Sequence, residues 1–207
     1  PFSKIRQEIL SQYKRGGMSS LSWHLRNPLT GGDSWDVSDT TVVKSVLPGG
    51  SNHEKFTGWV SKVSAFINSL QTEDGVKVPV LFRPWHEHTG SWFWWGEKLC
   101  TPEEYKALWQ MTVDILREDG VNNALYAYSP GSEPQDTVQY LNRYPGDELV
   151  DVIGFDTYQF DRDSYIANLE KSLAIIDSIG KTHNKVIAIT ETCLLYTSPS
   201  PRDYAAS

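Results

Sequence analysis

Residues 79–96 read PVLFRPWHEHTGSWFWWG. Val80, Leu81 and Phe82 form a short continuous apolar run, the pattern of a strand buried on both faces. Arg83, Pro84, Trp85, His86 and Glu87 follow at once, mixing charge, a chain stiffener and a large aromatic. A loop containing Gly90 then leads to Trp92, Phe93, Trp94 and Trp95. Three tryptophans within four residues are too many for one ordinary exposed loop, so something flat and partly apolar is expected to cover them. A carboxylic acid at the end of a buried strand, beside an aromatic platform, suits the cleavage of a sugar polymer.

The same strand-then-polar pattern recurs on both sides. Residues 18–24 (MSSLSWH) read as a strand ending in Trp23 and His24. Further strands are expected over 124–128, over 150–155 ending at Asp156 and Tyr158, and over 185–189 ending at Glu191. Helical periodicity falls between them. Residues 3–15 carry Ile5, Ile9 and Leu10 on one face, with Ser3 as a cap and Gly16-Gly17 as a stop. Residues 54–72 place Phe56, Val60, Val63 and Ile67 on one side. Thr101, Pro102 and Glu104 predict a capping box that opens a helix to about residue 118. Helices are also expected over 134–142 and 163–182. The stretch 25–53, rich in Gly, Asn, Asp, Ser and Pro, reads as one long loop of the kind that often carries function.

Strict alternation of strand and helix implies a parallel sheet with helices packed outside it. No Gly-rich phosphate loop follows any strand, which weakens a nucleotide-binding doubly wound sheet. The strand ends bearing His24, His86 and Glu87, Asp156 and Tyr158, and Glu191 point instead to the rim where a (β/α)8 TIM barrel keeps its active site. Such a barrel needs eight strands and about 250 residues, whereas five strands are predicted in 207 residues. Either strands are missing or the fold is not a barrel.

Bulk properties narrow the function. The length suits one domain, and 39% hydrophobic with 22% charged residues describes a folded globular chain. A net charge of −7 argues against a nucleic-acid partner. No apolar run approaches the roughly 18 residues of a membrane span. The two cysteines, Cys100 and Cys193, form no CxxC pair, so neither a zinc knuckle nor a redox motif is expected, and a disulfide between them is not implied. The N-terminal residues enter a helical pattern directly, without a signal-peptide pattern, so the chain reads as processed or cut from something longer.

Glu87 and Glu191 are the expected catalytic pair. Hydrolysis of a glycosidic bond needs one carboxylic acid to protonate the departing oxygen and a second carboxylate on the opposite face of the ring. Each glutamate directly follows an apolar strand, and parallel strands bring both to one rim. A single such glutamate could equally cap the next helix or pair with a basic residue; two of them, one beside a tryptophan cluster, favour chemistry. His24 and His86 read as ligands, bases or buried histidines. No HExxH spacing occurs, so no metal and no cofactor are expected. Beside a sugar a neutral imidazole would bind hydroxyls. Arg83 reads as a carboxylate-orienting or structural ion-pair residue, and Tyr158 as a hydrogen-bond partner of the nucleophile or as packing.

The segment RPWHEHTGSWFWWG (83–96) resembles the acid/base segment of glycoside hydrolase family 26, whose main members are β-mannanases. SWHLRNP (22–28), YAYSP (126–130), YPGDELVDVIGFDTY (144–158) and KVIAITET (185–192) agree with it in order. The resemblance implies a (β/α)8 barrel of which strands three to seven are present, the first two and the eighth being absent from residues 1–192. It implies Glu87 as general acid/base and Glu191 as nucleophile, with retention of anomeric configuration. It implies His24, His86 and Trp92 as sugar contacts and Tyr158 as a partner of the nucleophile. Arg83 and Trp95 join the substrate-binding candidates, Trp94 and Trp95 reading as further platform or as packing at the rim. The expected partner is a β-mannan, glucomannan or galactomannan. The rivals are β-1,3-xylan or mixed-linkage β-glucan, or a carbohydrate-binding fragment without chemistry. A secreted or cell-surface monomer, touching neither nucleic acid nor membrane, is expected from the polymeric substrate. Residues 193–207 have no helical period and two Ser-Pro steps, and LLYTSPSPRD resembles translated sequencing-adapter read-through, so this tail is expected to be foreign. A barrel lacking three strands is expected to be poorly stable and short of activity.

Overall fold

A computed structural model of the chain describes residues 2–159 and 161–193. The expected foreign tail therefore lies outside the described residues, apart from Cys193. The elements run α1 (Phe2–Lys14), β1 (Ser19–Ser22), α2 (Val42–Val46), α3 (His53–Asn68), β2 (Val80–Arg83), α4 (Pro102–Glu118), β3 (Ala124–Tyr128), α5 (Thr137–Leu141), β4 (Val152–Tyr158), α6 (Arg162–His183) and β5 (Val186–Cys193). The strands pair in sequence order, β1-β2-β3-β4-β5, every pair parallel. Sequential parallel strands with outer helices are the wall of a (β/α)8 barrel, and five of them make an incomplete one.

Local chemistry accounts for the elements. Thr101 accepts from the Glu104 amide while the Glu104 carboxylate accepts from the Thr101 amide, the predicted capping box, with Pro102 at the first helical position. Asp161 caps α6 through the Ser164 amide, and Asn184 ends that helix in the left-handed conformation at φ 53°. Two boundary expectations fail. Ser3 lies inside α1, which already starts at Phe2. Residues 69–72 leave α3, because Leu70 and Gln71 turn to meet Val78 and Lys77.

The 25–53 stretch also contains a helix that periodicity did not reveal. Only five residues long, α2 buries Val42, Val43 and Val46 completely. It anchors an otherwise turn-built loop, in which Asn27 accepts from the Leu29 and Thr30 amides and donates to the Asp36 carbonyl. The loop is thereby held against the core and carries Trp35 to the rim.

Four of the eight tryptophans, Trp85, Trp94, Trp95 and Trp109, are fully buried. Each buried indole N–H finds an acceptor: Thr112 for Trp85, the Leu25 carbonyl for Trp94, the His86 carbonyl for Trp95 and the Leu149 carbonyl for Trp109. Core packing thus explains half of the tryptophan excess. Cys100 is buried, Cys193 is exposed, and both are free thiols. Among the described residues no helix is long and apolar enough to cross a membrane.

Candidate active site

Four strands deliver the site. Arg83 ends β2, Ser129 follows β3, Asp156 and Tyr158 lie on β4, and Thr190 and Glu191 lie on β5. Expected just past the strand ends, Asp156, Tyr158 and Glu191 are instead within the strands, whose pairing continues to Cys193. A register shift between Phe155 and Asp156 sets Phe155 opposite Ile189 but Asp156 opposite Glu191. Such a bulge re-aims side chains at a sheet end, and it brings the two carboxylates together.

Arg83 is the hub. Its Nε donates to Ser129 Oγ (3.1 Å), one terminal nitrogen to Glu191 Oε1 (2.9 Å) and the Thr190 carbonyl (3.2 Å), and the other to Asp156 Oδ2 (2.7 Å). With its side chain 4% exposed and all three nitrogens directed at protein, Arg83 orients carboxylates. Four of its five N–H donors are engaged by protein, which favours the carboxylate-orienting reading over that of a sugar contact. Tyr158 donates to the other oxygen of Glu191. The nucleophile candidate is thus gripped at both oxygens.

Glu87 is held differently. Its amide donates to the Ser129 carbonyl (2.8 Å), and Trp92 Nε1 donates to its Oε2 (2.9 Å). Glu87 and Trp85 both have left-handed backbones, φ 54° and 53°. Non-glycine residues adopt this region at an energetic cost of about 1–3 kcal/mol, typically where function demands a particular side-chain direction. Trp85 is locked by burial and by Tyr105 donating to its carbonyl. One carboxylate oxygen from each of Glu87, Asp156 and Glu191 lies within 4.8 Å of the others. Three carboxylates at that spacing could bracket a cation, but Arg83 already spans two of them and brings the positive charge.

The protonation states diverge. Burial raises the Glu87 carboxyl above its ordinary range; the Glu191 and Glu133 charges add to this, and the Trp92 hydrogen bond opposes it. Burial also pushes on Glu191, but the Tyr158 hydrogen bond and the Arg83 charge outweigh it and hold that carboxyl below its ordinary range. Burial lifts Asp156 to about 8, against the pull of Arg83 and Thr190. Burial, with the Arg83 and His24 charges, lowers His86 to about 3, so its imidazole is neutral.

His24 and His86 meet edge to face at 4.7 Å, and both pack on Phe93. Trp92 is half-buried beside Glu87. Trp95 departs from expectation. It is fully buried, stacked on Phe93 at 4.5 Å, with its N–H committed to His86. It supports the floor of the site and offers no face to a sugar. His88, one residue beyond Glu87, takes no part in the site. It is instead buried between Tyr105 and Tyr128, at 4.3 and 4.8 Å.

A cleft of about 420 Å³ is lined by Trp35, Glu87, Trp92, Glu133, Asp156 and Tyr158, among others. Trp35 is 59% exposed and packs on Phe93 at 4.9 Å. Sequence reasoning passed over it. The available signal was a tryptophan isolated in a polar loop, GGDSWD, where no core periodicity claims it. Asp156 was placed at the rim without a role, and Ser129 and Thr190 were passed over, because their contacts with Arg83 are made across strands.

A family described as "Glycosyl hydrolase family 26" matches residues 2–192, in agreement with the resemblance carried by the motifs. A solved GH26 β-mannanase from Bacteroides ovatus is 60% identical with a TM-score of 0.91, aligned over 92% of this chain and 56% of that one. A modular endo-β-1,4-mannanase from Cellulomonas fimi is 36% identical with a TM-score of 0.89, over 99% of this chain and 48% of that one. A mannan endo-1,4-beta-mannosidase of Bifidobacterium adolescentis is 38% identical over 195 residues, 90% of this chain and 19% of that protein. The chain thus spans about half the length of the solved relatives and less of that enzyme.

Proposed function

The chain belongs to glycosyl hydrolase family 26, and from that membership we propose that it carries the catalytic pair of a retaining endo-β-1,4-mannanase acting on mannan, glucomannan or galactomannan. The observation that carries this reading is the pairing of Glu87 and Glu191, oxygens within 4.8 Å, in opposed electrostatic settings. Retaining pairs stand about 5–5.5 Å apart and inverting pairs about 6.5 Å or more. The 4.8 Å bound holds between single oxygens and not between whole carboxyl groups, and it is compatible with the retaining spacing.

In this mechanism Glu191, ionised, attacks the anomeric carbon while Glu87, protonated, gives its proton to the departing glycosidic oxygen. The C–O bond breaks and a glycosyl ester forms on Glu191. Glu87, now a carboxylate, takes a proton from water, whose oxygen attacks the same carbon and releases Glu191. Tyr158 and Arg83 orient the nucleophile. Neutral His86, exposed His24 and the faces of Trp92 and Trp35 offer hydroxyl partners and stacking surface to the sugar. The mannanases among the relatives support mannan as the polymer, and secretion follows from a polymeric substrate.

The test is product analysis with mannan, xylan and lichenan on the barrel completed with its three missing strands, together with Glu87→Gln. Mannan is expected to be cleaved to oligosaccharides. The substitution should lower kcat by about 10²–10⁴-fold, the usual share of a general acid, with binding retained. Hydrolysis of xylan or lichenan in preference to mannan, or an indifferent variant, would refute the assignment.

A further inference from the structure

A second groove opens beside the active-site cleft. About 340 Å³ in volume, it is lined by Thr89, Glu97, Glu133, Val138, Gln139 and Asn142. Glu133 lines this groove and also the cleft that holds Glu87. The two hollows are therefore adjacent, and each falls in the range of about 300–1,000 Å³ usual for small-molecule sites.

Glu133 is exposed but fixed. Thr89 Oγ1 donates to its Oε2 at 2.6 Å and accepts from the Gly131 amide at 2.9 Å. Lys171 on α6 holds the Ser132 carbonyl at 2.9 Å. Gly131 makes space for the carboxylate, since a Cβ there would stand 2.2 Å from Glu133 Oε2 and 2.8 Å from Oε1. A glutamate pinned at one oxygen by a neighbouring loop, with no hydrogen bond to its other oxygen among the described residues, is pre-organised to accept from a ligand.

Topology gives the groove a direction. Thr89 follows β2 and Glu133 follows β3, whereas Glu191 stands two strands further along, on β5. The groove thus lies on the Glu87 side, away from the nucleophile. Glu87 protonates the oxygen that departs, so the sugar leaving with that oxygen extends past Glu87 in this direction. The inference rests on the catalytic assignment made above. We infer that Glu133, held by Thr89, is a specificity-determining residue on the leaving-group side, accepting hydrogen bonds from hydroxyls of the departing sugar chain and guiding it into the groove lined by Gln139 and Asn142.

Two substrates separate this role from a general structural one. In mannotetraose a sugar chain departs, whereas in 4-nitrophenyl β-mannobioside an aryl group departs that lacks those hydroxyls. Compared at each variant's own pH optimum, because the Glu133 charge also acts on Glu87, Glu133→Ala should lower kcat/KM on mannotetraose about tenfold or more, as loss of a hydrogen bond to a charged group does, and should lower it on the aryl substrate by a clearly smaller factor. Gly131→Ala, which displaces the carboxylate without removing it, should show the same selective loss, and Glu133→Gln, which keeps an acceptor oxygen, a smaller one. Equal losses on both substrates, or none on either, would overturn the inference while leaving the mannanase assignment intact. These comparisons are made on the barrel completed with its three missing strands; if that barrel, unsubstituted, cleaves neither substrate, the assignment itself fails and the inference with it.

Discussion

Glu87 and Glu191 are the same amino acid at the ends of two similar apolar runs, and the fold gives them opposite electrostatic settings. Two contacts account for most of the difference. Arg83 reaches Glu191 and not Glu87, and Glu87 meets an indole N–H where Glu191 meets a phenol and a guanidinium. Since the Trp92 hydrogen bond favours the charged form of Glu87, Trp92→Phe should raise the acid's pKa further. The acid works while protonated, so the alkaline limb of the kcat/KM profile should move to higher pH. The acidic limb, set by ionisation of Glu191, should stay in place. A pH–rate profile of the variant checks this, and an alkaline limb moving to lower pH would show that Trp92 acts otherwise. The two glutamates stand out in the sequence because each closes an apolar run. The gripping role of Arg83 and the left-handed backbone at Glu87 do not, because both depend on partners brought in by other strands. Trp95 stayed open between platform and packing for the same reason: within WFWW, sequence cannot tell which ring turns to the core.

At the scale of elements, α4 shows how far local chemistry reaches. Thr101, Pro102 and Glu104 specify its start without tertiary help, and the capping box forms as read. Thr101→Ala should therefore destabilise the chain by about 1 kcal/mol, within the range of about 0.5–2 kcal/mol for lost N-caps. Urea unfolding followed by circular dichroism would measure it, and an unchanged midpoint would mean that the cap is redundant. The short α2 was illegible because five residues hold too little of a helical period, and Val42, Val43 and Val46 read equally well as strand formers. The bulge that sets Asp156 opposite Glu191 leaves no mark in VIAITET, since bulges are properties of a strand pair and not of one strand.

The whole molecule is an open parallel sheet of five strands with helices outside it. Strand number and parallel pairing were legible from alternation, and the polar residues at the strand ends pointed to a barrel rim; that the strands are three to seven of a barrel came through the family resemblance. Among the described residues β1 and β5 each have one strand neighbour, and β5 exposes Val186 and Ile189, at 67% and 42%. Apolar strand surface of this kind binds hydrophobic partners. The native chain should therefore enhance anilinonaphthalenesulfonate fluorescence, and Val186→Thr with Ile189→Thr should reduce the signal at unchanged helical content. A dye that stays dark with the native chain would mean that this edge is covered in solution.

The central claim is that Glu87 and Glu191 stand close enough to work by double displacement. Proton NMR of the anomeric region during the first minutes of mannotetraose hydrolysis by the barrel completed with its three missing strands tests it most directly. The β-anomer should appear first and mutarotate afterwards to the equilibrium mixture; an α-anomer formed first, or no turnover, would contradict the account.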